Sequence, residues 1–200
     1  MKGNYRITDK ECLKILYIIN KILTEEEIPY AIVGGMGIQA ILASKRLEHL
    51  LRTSGDIDLA IDAELSDITR AFNNISLNYP ELKVRHDYRR QHVLINNLGI
   101  DYVTNPDKLK EMENIFKKAI KEAEEIKVRN ISVKIESPEY LIAAKLTGKK
   151  LRETDKEDIL NLLRSGIQIN HGLIYRFAKN YTTRINWYNE IKELVEKKEI

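Results

Sequence analysis

Two aspartates stand two residues apart in the segment Asp56-Ile57-Asp58-Leu59-Ala60-Ile61-Asp62, which largely alternates polar and apolar residues. That alternation has the period of a half-buried strand. On a strand, residues i and i+2 leave the same face about 6.6 Å apart at the backbone, so the two carboxylates can converge on a common cation. Two hard oxygen ligands suit Mg²⁺, which keeps several waters and takes further oxygens from a substrate phosphate. Alone, a D-x-D pair is also what many solvent-facing strands carry. Here Ile57, Leu59 and Ile61 are expected to face the core, which leaves Asp56 and Asp58 on the opposite, accessible face, with Asp62 as a solvent residue at the strand end. The stretch Ile100-Asp101-Tyr102-Val103 adds a third carboxylate within an apolar strand. An unpaired buried carboxylate is costly. Asp101 by itself could bond a neighbouring Arg, but three aspartates on adjacent strands would repel one another unless cations lay between them.

Gly34-Gly35 closes an apolar run, Tyr30-Ala31-Ile32-Val33, and opens a helical one. Glycines let a phosphate approach the backbone, and a helix N-terminus offers unpaired N–H groups and a partial positive charge. The same pair could equally be a tight strand-to-helix turn that binds nothing. A competing motif overlaps it. Gly35-Met36-Gly37-Ile38-Gln39-Ala40, followed by Asp56, satisfies the spacing of a dinucleotide-binding fingerprint. That motif requires the acid to end a second strand, whereas Asp56 begins one, and no alternating βαβαβ series follows.

The elements that must position these residues are readable from periodicity. Thr8 and Glu11 form a capping-box pattern ahead of Cys12, Ile15, Leu16, Ile19, Ile22 and Leu23, which predicts a helix over 8–23. A strand at 30–33, a helix over 36–47, a strand at 56–62 and a helix over 64–75 follow. Runs 91–96 and 99–103 predict a hairpin. Asn105-Pro106 supplies an N-cap and N1 proline for a long charged helix to about residue 125, then a strand over 128–135. Ser137-Pro138 opens a helix through about 146, and from Asp155 onward the pattern is helical, with a break near Ser165-Gly166. Strands confined to 30–135 and helices beyond 137 predict an α+β fold, a mixed sheet flanked by helices, with a helical C-terminal lobe. The expected division is a core at 1–136 and a lobe at 137–200.

Composition narrows the setting. Among 200 residues, 33 Lys+Arg against 30 Asp+Glu leave a net charge of +3, which names no partner class. Near balance weighs against long-RNA binding, since many phosphate contacts demand a basic stripe. The densest basic spot, Arg85-His86-Asp87-Tyr88-Arg89-Arg90-Gln91-His92, reads as a solvated hairpin tip, and His49, His86, His92 and His171 show no metal-ligand spacing. The single cysteine, Cys12, excludes an intramolecular disulfide and a cysteine metal cluster. No apolar run is long enough for a membrane helix. With no signal-peptide pattern at the start, a reduced, cytoplasmic protein is expected.

The combination of Gly-Gly, a helix, D-x-D and a third Asp on a later strand resembles the nucleotidyltransferase superfamily typified by DNA polymerase β. Arg52-Thr53-Ser54-Gly55-Asp56-Ile57-Asp58 is similar to the R-x-[ST]-x-D-x-D form of AbiEii-type toxins and related prokaryotic nucleotidyltransferases. Ser137 to Leu146 resembles that group's lysine-bearing helix, with Lys145 as the lysine, and Arg152 with Asp155 and Asp158 resembles its later R…D-x-x-D element. The resemblance spans about residues 30–160. It implies Mg²⁺ held by Asp56, Asp58 and Asp101, with Asp101 also helping to deprotonate an acceptor hydroxyl that attacks the α-phosphorus of a nucleoside triphosphate and releases pyrophosphate. Gly34, Gly35, Arg52, Ser54 and Lys145 are the implied nucleotide-binding residues. Asp155 and Asp158, at i and i+3, are expected to bond Arg or Lys neighbours within the lobe instead of metal. The implied acceptors are an RNA such as tRNA, as for a toxin with an antitoxin partner, or a small molecule such as an aminoglycoside. The alternative is a non-catalytic nucleotide- or partner-binding module on the same fold.

Overall fold

A computed structural model describes residues 4–104 and 110–199. The expected N-cap and N1 proline at Asn105-Pro106 lie outside the described residues. The chain divides into two compact units, Met1–Glu136 and Ser137–Ile200.

The first unit carries strands β1 (Tyr30–Val33), β2 (Asp56–Ile61), β3 (Val84–Asp87), β4 (His92–Ile95), β5 (Leu98–Thr104), β6 (Glu124–Val128) and β7 (Ile131–Ile135), with helices α1 (Lys10–Glu25), α2 (Gly34–Ser44), α3 (Leu65–Asn78) and α4 (Lys110–Lys121). The strands form one mixed sheet in the order β3-β4-β5-β2-β1-β7-β6. β2 lies antiparallel to β1 and parallel to β5, while β1 is parallel to β7. The antiparallel β1–β2 pair disposes of the dinucleotide fingerprint: its βαβ unit needs parallel strands, and Gly35 and Gly37 here sit inside α2.

Side-chain alternation on β2 separates two faces. Ile57, Leu59 and Ile61 are fully buried, with their cross-strand neighbours Ile32, Ile100 and Tyr102. Each such side chain contributes about 1.5–3 kcal/mol through burial, which pins the register and so fixes Asp56 and Asp58 on the other face. On that second face, Ala31 and Ala60 pack with Ile120 of α4, flanked by Val33, Phe116 and Ala123. Small residues there admit the helix beside the carboxylates.

Several elements depart from the periodicity reading. Helix α1 starts at Lys10 behind Asp9, not at Thr8, and no capping box forms. The Asp9 carboxylate instead accepts from the Arg6 N–H at 2.8 Å, in the preceding turn. The charged helix ends at Lys121, and Glu124–Val128 is an edge strand that turns at Arg129 (φ 54°) into β7. Charged residues protect a sheet edge from pairing with another chain, which is why this strand reads as helix surface. At the opposite edge the basic run forms a hairpin, as expected: Arg85, His86 and Asp87 lie in β3 and pair antiparallel with β4, and Tyr88–Arg90 make its exposed tip.

The second unit contains α5 (Pro138–Thr147), α6 (Glu153–Arg164), α7 (His171–Ala178) and α8 (Thr182–Glu196), with Ser137 at the N-cap position and Pro138 at the start of α5. Gly166, at φ 69°, makes the break after α6. Tyr188 is wholly buried, its hydroxyl 2.7 Å from His171 Nδ1. Among the described residues, no helix is long and apolar enough to cross a membrane.

Candidate active site

The sheet gathers the three aspartates. In the parallel β2–β5 pair, Asp58 stands directly opposite Asp101, and Asp56 opposite Gly99. Cross-strand partners share a face, so all three carboxylates project together. One oxygen from each lies within 4.8 Å of the others, and all three residues are half-buried. The set is all carboxylate and accessible to solvent, which is the donor chemistry Mg²⁺ takes. Three carboxylates converging on one spot, oxygen ligands only, fit a divalent cation of that kind.

Val33 pairs with Asp58, and the chain turns at once into α2 through Gly34. Gly34 has φ +62°, and a Cβ there would stand 2.1 Å from Asp58 Oδ2. Only glycine fits both the left-handed backbone and that approach. At Gly35 a Cβ would stand 2.5 Å from Arg52 Nη2 and 3.5 Å from Ser54 Oγ. Gly34, Gly35, Arg52, Ser54 and Asp58 thus share one corner, with Ser54 tied down by paired backbone bonds to Tyr5. The first N–H groups of α2, which lack intrahelical partners, belong to the same corner.

Among the described residues, Asp101 bonds a histidine and no arginine. Its Oδ1 lies 2.5 Å from His92 Nδ1, the two residues facing each other across β4 and β5. Sequence spacing did not show this contact, since it depends on the cross-strand register. The side chain of Asp101 is 43% exposed, so the expected buried carboxylate is instead an accessible one. Behind the site, on the core face, His86 Nε2 meets the Tyr102 hydroxyl at 2.7 Å, and burial lowers the pKa of that imidazole.

Glu136 was also silent in the sequence. It follows β7 directly, its N–H donates to Ile32 O at 3.2 Å, and it is buried. Burial pushes its carboxyl up to about 8, so the group is neutral near pH 7.

Lys145, in the second unit, has its ammonium 3.0 Å from Asp155 Oδ1 and 2.8 Å from Asp158 Oδ2, with all three side chains under a tenth exposed. Arg152 donates to Asp155 from its backbone N–H at 3.0 Å, from Nε at 2.8 Å and from Nη2 at 2.9 Å. Burial would raise the Asp155 pKa, but the bonds from Arg152 and Lys145 outweigh it and hold the carboxyl far below the usual carboxylate range. The D-x-x-D pair therefore bonds Lys145 and Arg152 within its own unit.

No family model matches the sequence, and no curated protein matches it. Solved structures do. The chain superposes on an antigenic nucleotidyltransferase-like protein from Paracoccidioides brasiliensis with a TM-score of 0.57 at 14% identity, covering 90% of this chain and 91% of that one. It superposes on the antibiotic-resistance factor ANT(2'')-Ia with a TM-score of 0.55 at 16% identity, covering 91% of this chain and 97% of that one. The fold is therefore α+β of the nucleotidyltransferase-like kind.

Proposed function

We propose that this chain is a Mg²⁺-dependent nucleotidyltransferase, moving a nucleoside monophosphate from a nucleoside triphosphate to an acceptor hydroxyl and releasing pyrophosphate. The observation that carries this reading is the set of three aspartate oxygens within 4.8 Å of one another beside the Gly34 corner. Asp56, Asp58 and Asp101 would hold the cation, which when bound supplies charge neutralisation and orientation to the triphosphate. The amides at Gly34 and Gly35 and the start of α2 would receive phosphate oxygens. Arg52 and Ser54 flank them, the guanidinium suited to bidentate contact with phosphate. Asp101 would take the proton of the acceptor hydroxyl as the hydroxyl oxygen bonds to the α-phosphorus and the bond to pyrophosphate breaks.

Small hydroxylated molecules, aminoglycosides among them, are acceptors to screen, as the sequence resemblance implies; one of the structural neighbours is an antibiotic-resistance factor. RNA acceptors, and the antitoxin partner that a toxin reading entails, belong in the same screen. The test is incubation with Mg²⁺ and α-labelled triphosphates against pooled tRNA and small hydroxylated acceptors. Label is expected to become covalently attached, and Asp58→Asn is expected to abolish attachment while the protein still unfolds cooperatively. Undiminished labelling by Asp58→Asn would overturn the assignment.

A further inference from the structure

The His92–Asp101 contact has features of a built arrangement. His92 and Asp101 are directly paired residues of β4 and β5, so their side chains leave the same face as Asp56 and Asp58. An ionised carboxylate only accepts hydrogen bonds, so the hydrogen between Asp101 Oδ1 and His92 Nδ1 belongs to the imidazole. The ring is seated by Gly99. A Cβ at Gly99 would stand 3.0 Å from His92 Cε1 and 3.7 Å from Asp56 Cβ, so the absent side chain makes the space in which the imidazole lies beside the acidic row. An acceptor at one edge, Asp101 Oδ1, and the space above Gly99 hold the ring, which is 28% exposed there. Of the three carboxylates, Asp101 lies on the strand farthest from the glycine corner, since β2 separates β5 from β1.

We propose that His92 is the positioning residue of Asp101: its Nδ1–H holds one carboxylate oxygen and thereby keeps the other turned into the acidic cluster. The inference rests on the proposed cation site, and it concerns this chain's own hydrogen bond. Groups that orient a metal ligand in this way typically change metal affinity or activity about 10–100-fold when removed.

The test uses the full chain with Mn²⁺ as the probe, and four variants. His92→Phe keeps a ring without a donor. His92→Asn places an amide donor where Nδ1 stood, and His92→Gln places it about where Nε2 stood. Gly99→Ala crowds the ring. Mn²⁺ affinity, read by water-proton relaxation, is expected to fall about 10–100-fold in His92→Phe and His92→Gln. His92→Asn is expected to recover most of the loss, and Gly99→Ala to fall between. Independently, ¹⁵N chemical shifts of the metal-free protein are expected to show a protonated His92 Nδ1 that responds to Asp101→Asn.

Wild-type Mn²⁺ affinity in His92→Phe, failure of His92→Asn to recover more than His92→Gln, or an unprotonated Nδ1 would each overturn the proposal. If the wild type binds Mn²⁺ and His92→Phe loses it, yet no triphosphate is ever used, the transfer reading fails and His92 stands. If transfer occurs and His92→Phe transfers and binds Mn²⁺ as well as wild type, His92 fails and the transfer reading stands.

Discussion

Gly34→Ala is the sharpest perturbation of the site that leaves every proposed ligand in place. Gly34 has φ +62°, and its missing Cβ would fall 2.1 Å from Asp58 Oδ2, 2.8 Å from Cγ and 3.0 Å from Cβ. The left-handed backbone costs an alanine about 1–2 kcal/mol. Overpacking adds about 1–3 kcal/mol, because a rotation of Asp58 moves its oxygens but not its own Cβ. Together these amount to about 2–5 kcal/mol, a loss that a domain with a typical stability of about 5–15 kcal/mol can survive folded. The β1–β2 register at Val33 and Asp58 must open, or Asp58 must swing out of the acidic cluster. Either movement breaks the alignment of one ligand in three, for which a loss of Mn²⁺ affinity of about 10–100-fold is the scale set by indirect ligand perturbations. Gly35→Ala is the internal control: its Cβ meets Arg52 Nη2, the far end of a flexible side chain, which can step aside. Mn²⁺ titration of the two variants, alongside urea denaturation, reads both quantities. Wild-type Mn²⁺ affinity in Gly34→Ala would show that the glycine does not hold Asp58 in place, and the reasoning about the corner would be refuted.

Other outcomes follow from the buried charges. Lys145→Met removes the ammonium shared by Asp155 and Asp158 and is expected to lower stability by about 3–5 kcal/mol in urea denaturation, whereas a change below about 1 kcal/mol would show the cluster to be relaxed. The folded Asp155 carboxyl titrates below its unfolded value, so its contribution is present above the unfolded pKa and lost as pH falls through the folded one; Asp155→Asn should flatten the acid limb of the stability profile. Glu136 has the opposite sign. Its folded pKa of about 8 exceeds the unfolded value, so the folded state binds more protons and stability declines as pH rises between the two. Glu136→Gln is expected to remove that decline in thermal unfolding scans, and an unchanged slope would contradict the burial argument.

What was legible in the sequence followed from periodicity in residues that face one environment. The alternation of β2 placed Ile57, Leu59 and Ile61 in the core and Asp56 and Asp58 on the other face, because one buried face fixes register. The Ser137-Pro138 start of α5 was equally plain, since proline at the first helical position surrenders no hydrogen bond. The edge strands β3 and β6 were not, as their charged side chains copy the pattern of a solvated loop or helix surface. The His92–Asp101 bond was half legible: the hairpin of 91–96 and 99–103 was readable, but the register that sets His92 opposite Asp101 depends on where the turn falls, which the sequence reading placed one residue late. The burial of Glu136 depends on tertiary packing, which no local spacing encodes.

The central claim is most directly tested by where a phosphate label travels. With Mg²⁺, wild-type protein and an acceptor from the screen, α-labelled triphosphate is expected to give labelled acceptor and one pyrophosphate per transfer, and γ-labelled triphosphate is expected to leave all its label in pyrophosphate. Label passing from the γ position to the acceptor, or α-label transfer that persists when Asp56, Asp58 and Asp101 are all changed to Asn, would contradict the account.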